Sequence, residues 1–353
     1  MSKKSLILLL FACCSLPAFT QTEGGKSHAV IDWFRHWARI YNNYDTTYIE
    51  PDRYHMTAML HAIEGSEWFT LRNKSSHQSL TFASHPSLRV GPHVGWHFLL
   101  LGYNVDVLNL GKEKVKKKEM EVSIYTNRFG ADFFYRKTGN DFSLRSSSGY
   151  APDLEHLHGI RTDAVQTRLI GLNLYFIANH RHFSLPAAHR LLTRQRRSAG
   201  TWKYGISITK HDTHIDHDKL STQMPGATGI QAERIKYMDF GLSGGYAYNW
   251  VPRQGWLLSF DLAPSVGYRR ADRSVWSDTA MPEGTSPFKK GLYYRGNFNA
   301  DMTARIGMVW NNTRNYVGIS LVAHTFNYRQ HDLTSNDTFI TCKFYTGINF
   351  WKR

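Results

Sequence analysis

Cysteine is nearly absent from this 353-residue chain: Cys13 and Cys14 sit close to the start, and Cys342 stands alone after them. A single thiol in the body of the chain excludes an intramolecular disulfide framework. Beyond the first residues no apolar run is long enough for a membrane-spanning helix. A Gly-rich phosphate loop, a low-complexity linker and an internal repeat are also missing. Acidic residues are scarce, with 28 Asp and Glu against 43 Lys and Arg, a formal charge of +15. In a cytosolic chain that excess would point to nucleic acid. The N-terminus redirects it.

The chain opens MSKKSLILLLFACCSLPAF, in which Lys3 and Lys4 precede an apolar stretch and then small residues. That order is a secretory signal peptide, residues 1–20, with cleavage near Ala18 or Thr20. Leu10-Phe11-Ala12-Cys13 also reads as a lipoprotein box, so lipidation at Cys13 stays open as the alternative. In an exported chain nucleic acid is excluded as a partner, and positive charge suits acidic lipid headgroups or envelope polysaccharide. Residues 21–52 form a separate lead-in. Val30, Phe34, Trp37 and Ile40 recur there at helical spacing, which predicts a short amphipathic helix. It is either packed or laid against a membrane interface.

From residue 53 to 353 the period changes to two. In GNFNADMTARIGMVW, Phe298, Ala300, Met302, Ala304, Ile306 and Met308 share one face, and Asn299, Asp301, Thr303, Arg305 and Gly307 the other. GWLLSFDLAPSVGYR repeats this, with Trp256, Leu258, Phe260, Leu262 and Val266 opposing Ser259, Asp261, Ser265 and Arg269. Alternation sustained this long is a strand signal. The polar face is Gly, Ser, Asn and Thr with single charges, poorer in Lys and Glu than a water-facing exterior. Aromatics such as Trp250, Trp256, Tyr268 and Trp310 gather near strand ends, as in an interfacial girdle. A large barrel with an apolar interior would also enclose a dry void. The apolar face therefore points into lipid.

The fold class expected is all-β, a transmembrane antiparallel up-and-down barrel of about twelve strands with a short N-terminal helix. Strands are expected near 53–73, 78–85, 90–107, 118–128, 130–139, 165–180, 199–212, 236–250, 255–270, 293–310, 314–329 and 338–351. The first two are the weakest, because His61 to Glu67 breaks the pattern. Connections at 251–254, 311–313 and near Gly130 are short; those at 108–117, 140–164, 213–235 and 271–292 are long. Short turns face the periplasm and long loops the exterior, which puts both termini inside.

LRVGPHVGWHFLLLGYNVDV, ending at residue 107, FGADFFYRKTGNDF (129–142) and FSLPAAHRLLTRQRRSAG from Phe183 carry a resemblance. They resemble domain of unknown function 4421, a family of outer-membrane β-barrel proteins of Gram-negative bacteria, over Asp45 to Trp351. The resemblance implies location and fold, and brings no activity and no catalytic residues.

Inside such a barrel the lumen-facing polar candidates are Glu121, Lys203, Asp261, Arg269, Asp301, Arg305 and Lys343. Asp261 with Arg305, and Asp301 with Arg269 or Lys343, are the expected pairs. The stretch from Phe183 is too long for a periplasmic turn, and Phe183, Pro186, Ala187 and Leu191 suggest a compact element that caps or enters the mouth. Its Arg190, Arg194, Arg196 and Arg197 would then meet lumen carboxylates such as Asp261 or Asp301, or face solvent. KHDTHIDHDK, with His211, His214 and His217, has metal-ligating residue types, but a polar external loop explains it better. The basic tip GKEKVKKKE (111–119) suits lipopolysaccharide or plain solvation. No Ser-His-acid constellation assembles from spacing. The expectation is an envelope barrel, structural or a narrow passive pore for small solutes, without cofactor or metal. Its partners are outer-membrane lipid and lipopolysaccharide. A barrel-embedded hydrolase of lipid or peptide, and a surface binding or adhesion protein using the loops, are the alternatives.

Overall fold

A computed structural model describes residues 44–50, 53–96, 99–108, 118–139, 142–151, 153–189, 193–227, 234–271, 298–330 and 333–352. The expected signal peptide and N-terminal helix, most of the basic tip and most of the 271–292 connection lie outside the described residues.

The strands in chain order are β1 (Ile49–Glu50), β2 (Tyr54–Asn73), β3 (Gln78–Ser84), β4 (Leu88–Trp96), β5 (Leu99–Gly102) and β6 (Val105–Asp106). They continue as β7 (Lys118–Tyr125), β8 (Phe129–Gly139), β9 (Phe142–Ser148), β10 (Arg161–Thr162), β11 (Val165–Ile177) and β12 (Arg194–Gln195). The rest are β13 (Ala199–Ile215), β14 (Arg234–Trp250), β15 (Trp256–Ala271), β16 (Phe298–Asn311), β17 (Asn315–Gln330) and β18 (Leu333–Lys352). Two short helices interrupt them, α1 (Leu185–His189) and α2 (His217–Gln223).

Except for β1 and β12, which pair with each other, the strands form one antiparallel sheet. From β11 through β13 to β18 and on to β2, each strand is laddered to the next. β3 and β4 together descend along β2, β8 and β9 together ascend, and β10 leads through Asp163 and Ala164 into β11. Counted this way the chain makes twelve passes. At the long-loop end, β9 pairs with β3 on one side and β10 on the other, so the sheet returns on itself. Towards the short-turn end it does not close: β7 pairs only with β8, and β5 and β6 only with β4, among the described residues.

The outward face is apolar. Trp202 is 58%, Val266 63% and Leu242 70% exposed, whereas the inward Lys203, Asp239 and Arg269 are at most 5% exposed. Burial of ions beside exposure of Leu and Val inverts the usual order and marks lipid, not water, as the outer solvent. Tight turns join β7 to β8, β14 to β15 and β16 to β17 at one end, and β2 to β3 at the other. Gly255, in the β14–β15 turn, has φ +86°, which a side chain resists.

The expected strand 53–73 is β2, which runs unbroken through His61 to Glu67 because β18 ladders it from Asn73 to Met56 whatever its own pattern. Two other expectations change. The stretch 90–107 is not one strand: β5 and β6 each pair antiparallel with β4. The connection 140–164 contains β9 and β10.

Candidate functional site, the lumen and its two ends

The lumen has three layers, and the inward residues of each strand decide them. At the short-turn end the segment from Phe183 enters the mouth. Phe183 and Leu185 cluster with Tyr175 and Ile177 of β11, Ala199 of β13 and Ala247 of β14. Ala187 and Ala188 cluster with Met59 of β2, Leu257 of β15, Val309 of β16, Tyr316 of β17 and Tyr345 of β18. Packing with inward side chains from so many strands is possible only inside the ring. Polar contacts fix the segment: Asn249 Nδ2 donates to Ser184 O at 2.9 Å, and the Ser184 N–H donates to Gln195 Oε1 at 2.9 Å. Tyr345 Oη donates to Ala188 O at 3.4 Å. Gln195 also pairs in the β1–β12 ladder. Nothing in its sequence neighbourhood marks it as the hub it is.

Above this segment lie buried ions. Lys203 pairs with Asp261, and Arg305 Nη2 lies 2.6 Å from Asp132 Oδ2. Tyr125 Oη donates to the other Asp132 oxygen at 2.7 Å. The Tyr175 ring lies under both cations, 4.6 Å from Lys203 Nζ and 5.8 Å from the Arg305 guanidinium carbon. Further out, Arg269 grips Asp239 through two hydrogen bonds of 2.7 and 2.6 Å and stacks on Tyr237 at 4.2 Å. Asn299 Nδ2 bridges Asp239 and Asp301 at 3.2 and 2.6 Å. The buried Glu67 carboxylate accepts from Thr138 and Thr167 at 2.7 and 2.8 Å. Ions this deep are tolerated only when paired and hydrogen-bonded.

At the long-loop end the inward residues turn apolar. Phe69, Leu71, Leu80, Phe82, Phe142 and Leu144 pack with Leu154, Leu157, Leu220 and Met224 of the connections. The expected all-polar lumen is corrected here. The dry void that would forbid an apolar interior does not arise, because 149–164 and α2 fill it.

Between the layers is a cavity of about 800 Å³, lined by charged residues such as Arg89, Arg136, Arg305 and Lys343 and by Ile63, Phe134, Leu169, Phe326 and Phe339. It also reaches Met120, Val122, Tyr103 and Val105, which stand on the outward face of β7 and of the β5–β6 arm. Among the described residues, then, this space touches both faces of the sheet.

Lys203, Asp261, Arg269 and Arg305 are buried; Asp301 and Lys343 are half-buried. The Glu121 side chain and Arg190 lie outside the described residues. The expected partners are exchanged. Asp261 and Arg305 are register neighbours, yet Asp261 takes Lys203 from β13 and Arg305 takes Asp132 from β8. Long cations reach across the lumen past the group directly beside them. Arg269 takes Asp239, and Asp301 joins through Asn299. Phe183 is buried. Arg194 and Arg196 do not meet Asp261 or Asp301; each lies 3.4 Å from the buried Glu50. Arg53 closes on the same carboxylate at 2.6 Å. Arg197 lies 5.8 Å over the Tyr48 ring. The histidines scatter: His211 points inward and stacks on Tyr237 at 4.4 Å, His214 faces outward and His217 opens α2. Among the described residues no three His, Cys, Asp or Glu gather as a metal site would require.

A model of the family described as Domain of unknown function (DUF4421) matches residues 43–350. No curated protein matches the chain. Among solved structures, the outer membrane protease OmpT from Escherichia coli is similar at 7% identity and a TM-score of 0.35, over 86% of this chain and 98% of that one. The P. putida toluene transporter TodX is similar at 10% and 0.29, over 85% and 91%. The outer membrane protein OprG from Pseudomonas aeruginosa is similar at 7% and 0.24, over 85% and 98%. Overlays this loose carry no argument about activity.

Proposed function

The chain belongs to the Domain of unknown function (DUF4421) family, and we propose that it is an outer-membrane β-barrel of a Gram-negative envelope whose lumen is sealed at rest. Residues 1–20 are its cleaved export signal, 21–52 its periplasmic lead-in and 53–353 the barrel. The apolar outer face supports the membrane placement, since exposed Leu, Val and Trp over buried ions suit hydrocarbon. The protein then serves as a structural element of the envelope, and small solutes pass only when the segment 183–195 leaves the mouth. One observation carries this: Phe183, Leu185, Ala187 and Ala188 are buried against the inward faces of the wall.

The mature chain, refolded in detergent, should migrate faster on a gel unboiled than boiled. In planar bilayers it should be silent. Replacing 183–195 with a Gly/Ser linker of equal length should bring discrete conductance steps while the gel shift persists. Steps of the same size from the unaltered chain would overturn the sealed-lumen reading. So would a silent linker variant that still shows the gel shift.

A further inference from the structure

At the short-turn end, β12 and the β14–β15 turn border a groove of about 670 Å³. Arg194, Arg196 and Arg197 line one side, and Val251, Arg253 and Gln254 the other. Its volume falls within the ~300–1,000 Å³ of ligand pockets. Among the described residues no carboxylate lines it. No aromatic ring does so either, which leaves a base without a platform to stack on.

Charge around the groove is not balanced. Arg53, Arg194 and Arg196 converge on the single Glu50 carboxylate, and the buried Nε of Arg194 makes no hydrogen bond there. Arg197 lies over the Tyr48 ring, with Asp45 in Coulombic range. Arg253 is exposed on its turn, and among the described residues no carboxylate pairs with it. Five arginines thus stand against two carboxylates. Crowded like charges repel, and an anion bound among them relieves the repulsion. Guanidinium forks suit carboxylate oxygens in particular. The spacing is also ordered: Gln195 is buried on one side of β12, and Arg194 and Arg196 lie together on the other. Alternate residues of a strand repeat at ~6.6–6.8 Å, as they do in any extended peptide.

We propose that this groove receives an extended acidic peptide segment of a periplasmic partner. Its carboxylates at alternate positions meet Arg194 and Arg196, and a further one meets Arg253. Charge argues against the occupants nearest to hand. Residues 21–43 carry Lys26, Arg35 and Arg39 against Glu23 and Asp32, and a second copy of the chain brings a formal charge of +15. The site goes beyond the sealed-barrel reading and takes from it only the orientation of the short turns.

The test titrates a fluorescein-labelled peptide of alternating Glu and Ser with the refolded mature chain in detergent and reads anisotropy. The peptide should bind, and its counterpart with Gln in place of Glu should bind about tenfold or more weakly, the size expected of charged hydrogen bonds. Arg197→Gln with Arg253→Gln should weaken the Glu peptide about tenfold on the same scale. Arg145→Gln with Arg314→Gln, at two exposed arginines outside the groove, removes the same charge and should change affinity less than about twofold. The fast-migrating band, checked for every variant, separates lost binding from lost folding. No binding by the unaltered chain, or equal affinity for the Glu and Gln peptides, would overturn the proposal. Equal losses from the two arginine pairs would overturn it too, as the mark of diffuse attraction. So would inorganic phosphate or short-chain phosphatidylglycerol displacing the peptide as well as unlabelled peptide does. Binding to intact cells before their outer membrane is permeabilised would instead overturn the orientation of the barrel.

Discussion

From β13 to β18 the strands are 14 to 20 residues long, and each is laddered on both sides. From β4 to β7 they are 2 to 9 residues long, and among the described residues one pair of edges has no partner strand. The same chemistry is used in both regions, apolar outward and polar inward. What differs is who satisfies the backbone. In the long wall the neighbouring strand does so, leaving the side chains free to sort by face. In the short sector the ladder stops at β7 and at the β5–β6 arm, among the described residues, and a cavity lies beside them.

The contrast can be broken most forcefully in the long wall. Lys203→Met leaves Asp261 buried without its cation, and removal of one partner of a buried pair costs ~3–5 kcal/mol. The urea midpoint for loss of the fast-migrating band should fall accordingly. Next, an arginine on the lipid face should discriminate between the regions. Leu262→Arg on β15 should cost ~2–4 kcal/mol, and Val122→Arg beside the break only ~0–1, where the guanidinium can reach the wet space. Equal costs in the same urea series would erase the distinction.

A smaller effect is expected at the root of the short sector. A Cβ on Gly91 would lie 1.7 Å from Tyr103 O, so Gly91→Ala must push the β5–β6 arm away. Overpacking of this kind costs ~1–3 kcal/mol. Hydrogen exchange should quicken at β5 and β6 and stay unchanged in β13 to β18. The smallest effect lies outside the membrane. Hydrogen bonds from Gln223 and Lys219 hold the Asp163 carboxyl below the usual carboxylate range. Its contribution is therefore present above about pH 4 and lost as pH falls through the depressed value. Protease sensitivity of α2 should rise between pH 6 and pH 3, and Asp163→Asn should flatten that rise.

Legibility followed the same divide. β14 to β18 could be read from alternation alone, because each of their residues faces either lipid or lumen and nothing else. β9 escaped because Phe142 and Leu144 point inward at a height where the lumen is apolar, which reverses the rule. The division of this stretch into β4 and β5 escaped because Trp96 to Leu101 is nearly all apolar and shows no change of period. Parity assigns Lys203, Asp261 and Arg305 to the polar face but does not name their partners. Parity says which face a charge occupies and nothing of how far its side chain reaches. Glu50 lay in the lead-in, with no pattern to connect it to Arg194 and Arg196.

That carboxylate has a mechanical consequence. β1 is joined to β12 by two residue pairs, and Glu50 ties Arg194 and Arg196 beside them. β12 in turn follows directly on the segment that fills the mouth. A pull on the chain ahead of Asp45 therefore meets this short clasp first, and while the clasp holds, part of the load passes through β12 to the segment around Phe183 and Leu185. Once it parts, the chain draws straight on β2, whose ladder to β18 must then yield many bonds at a time.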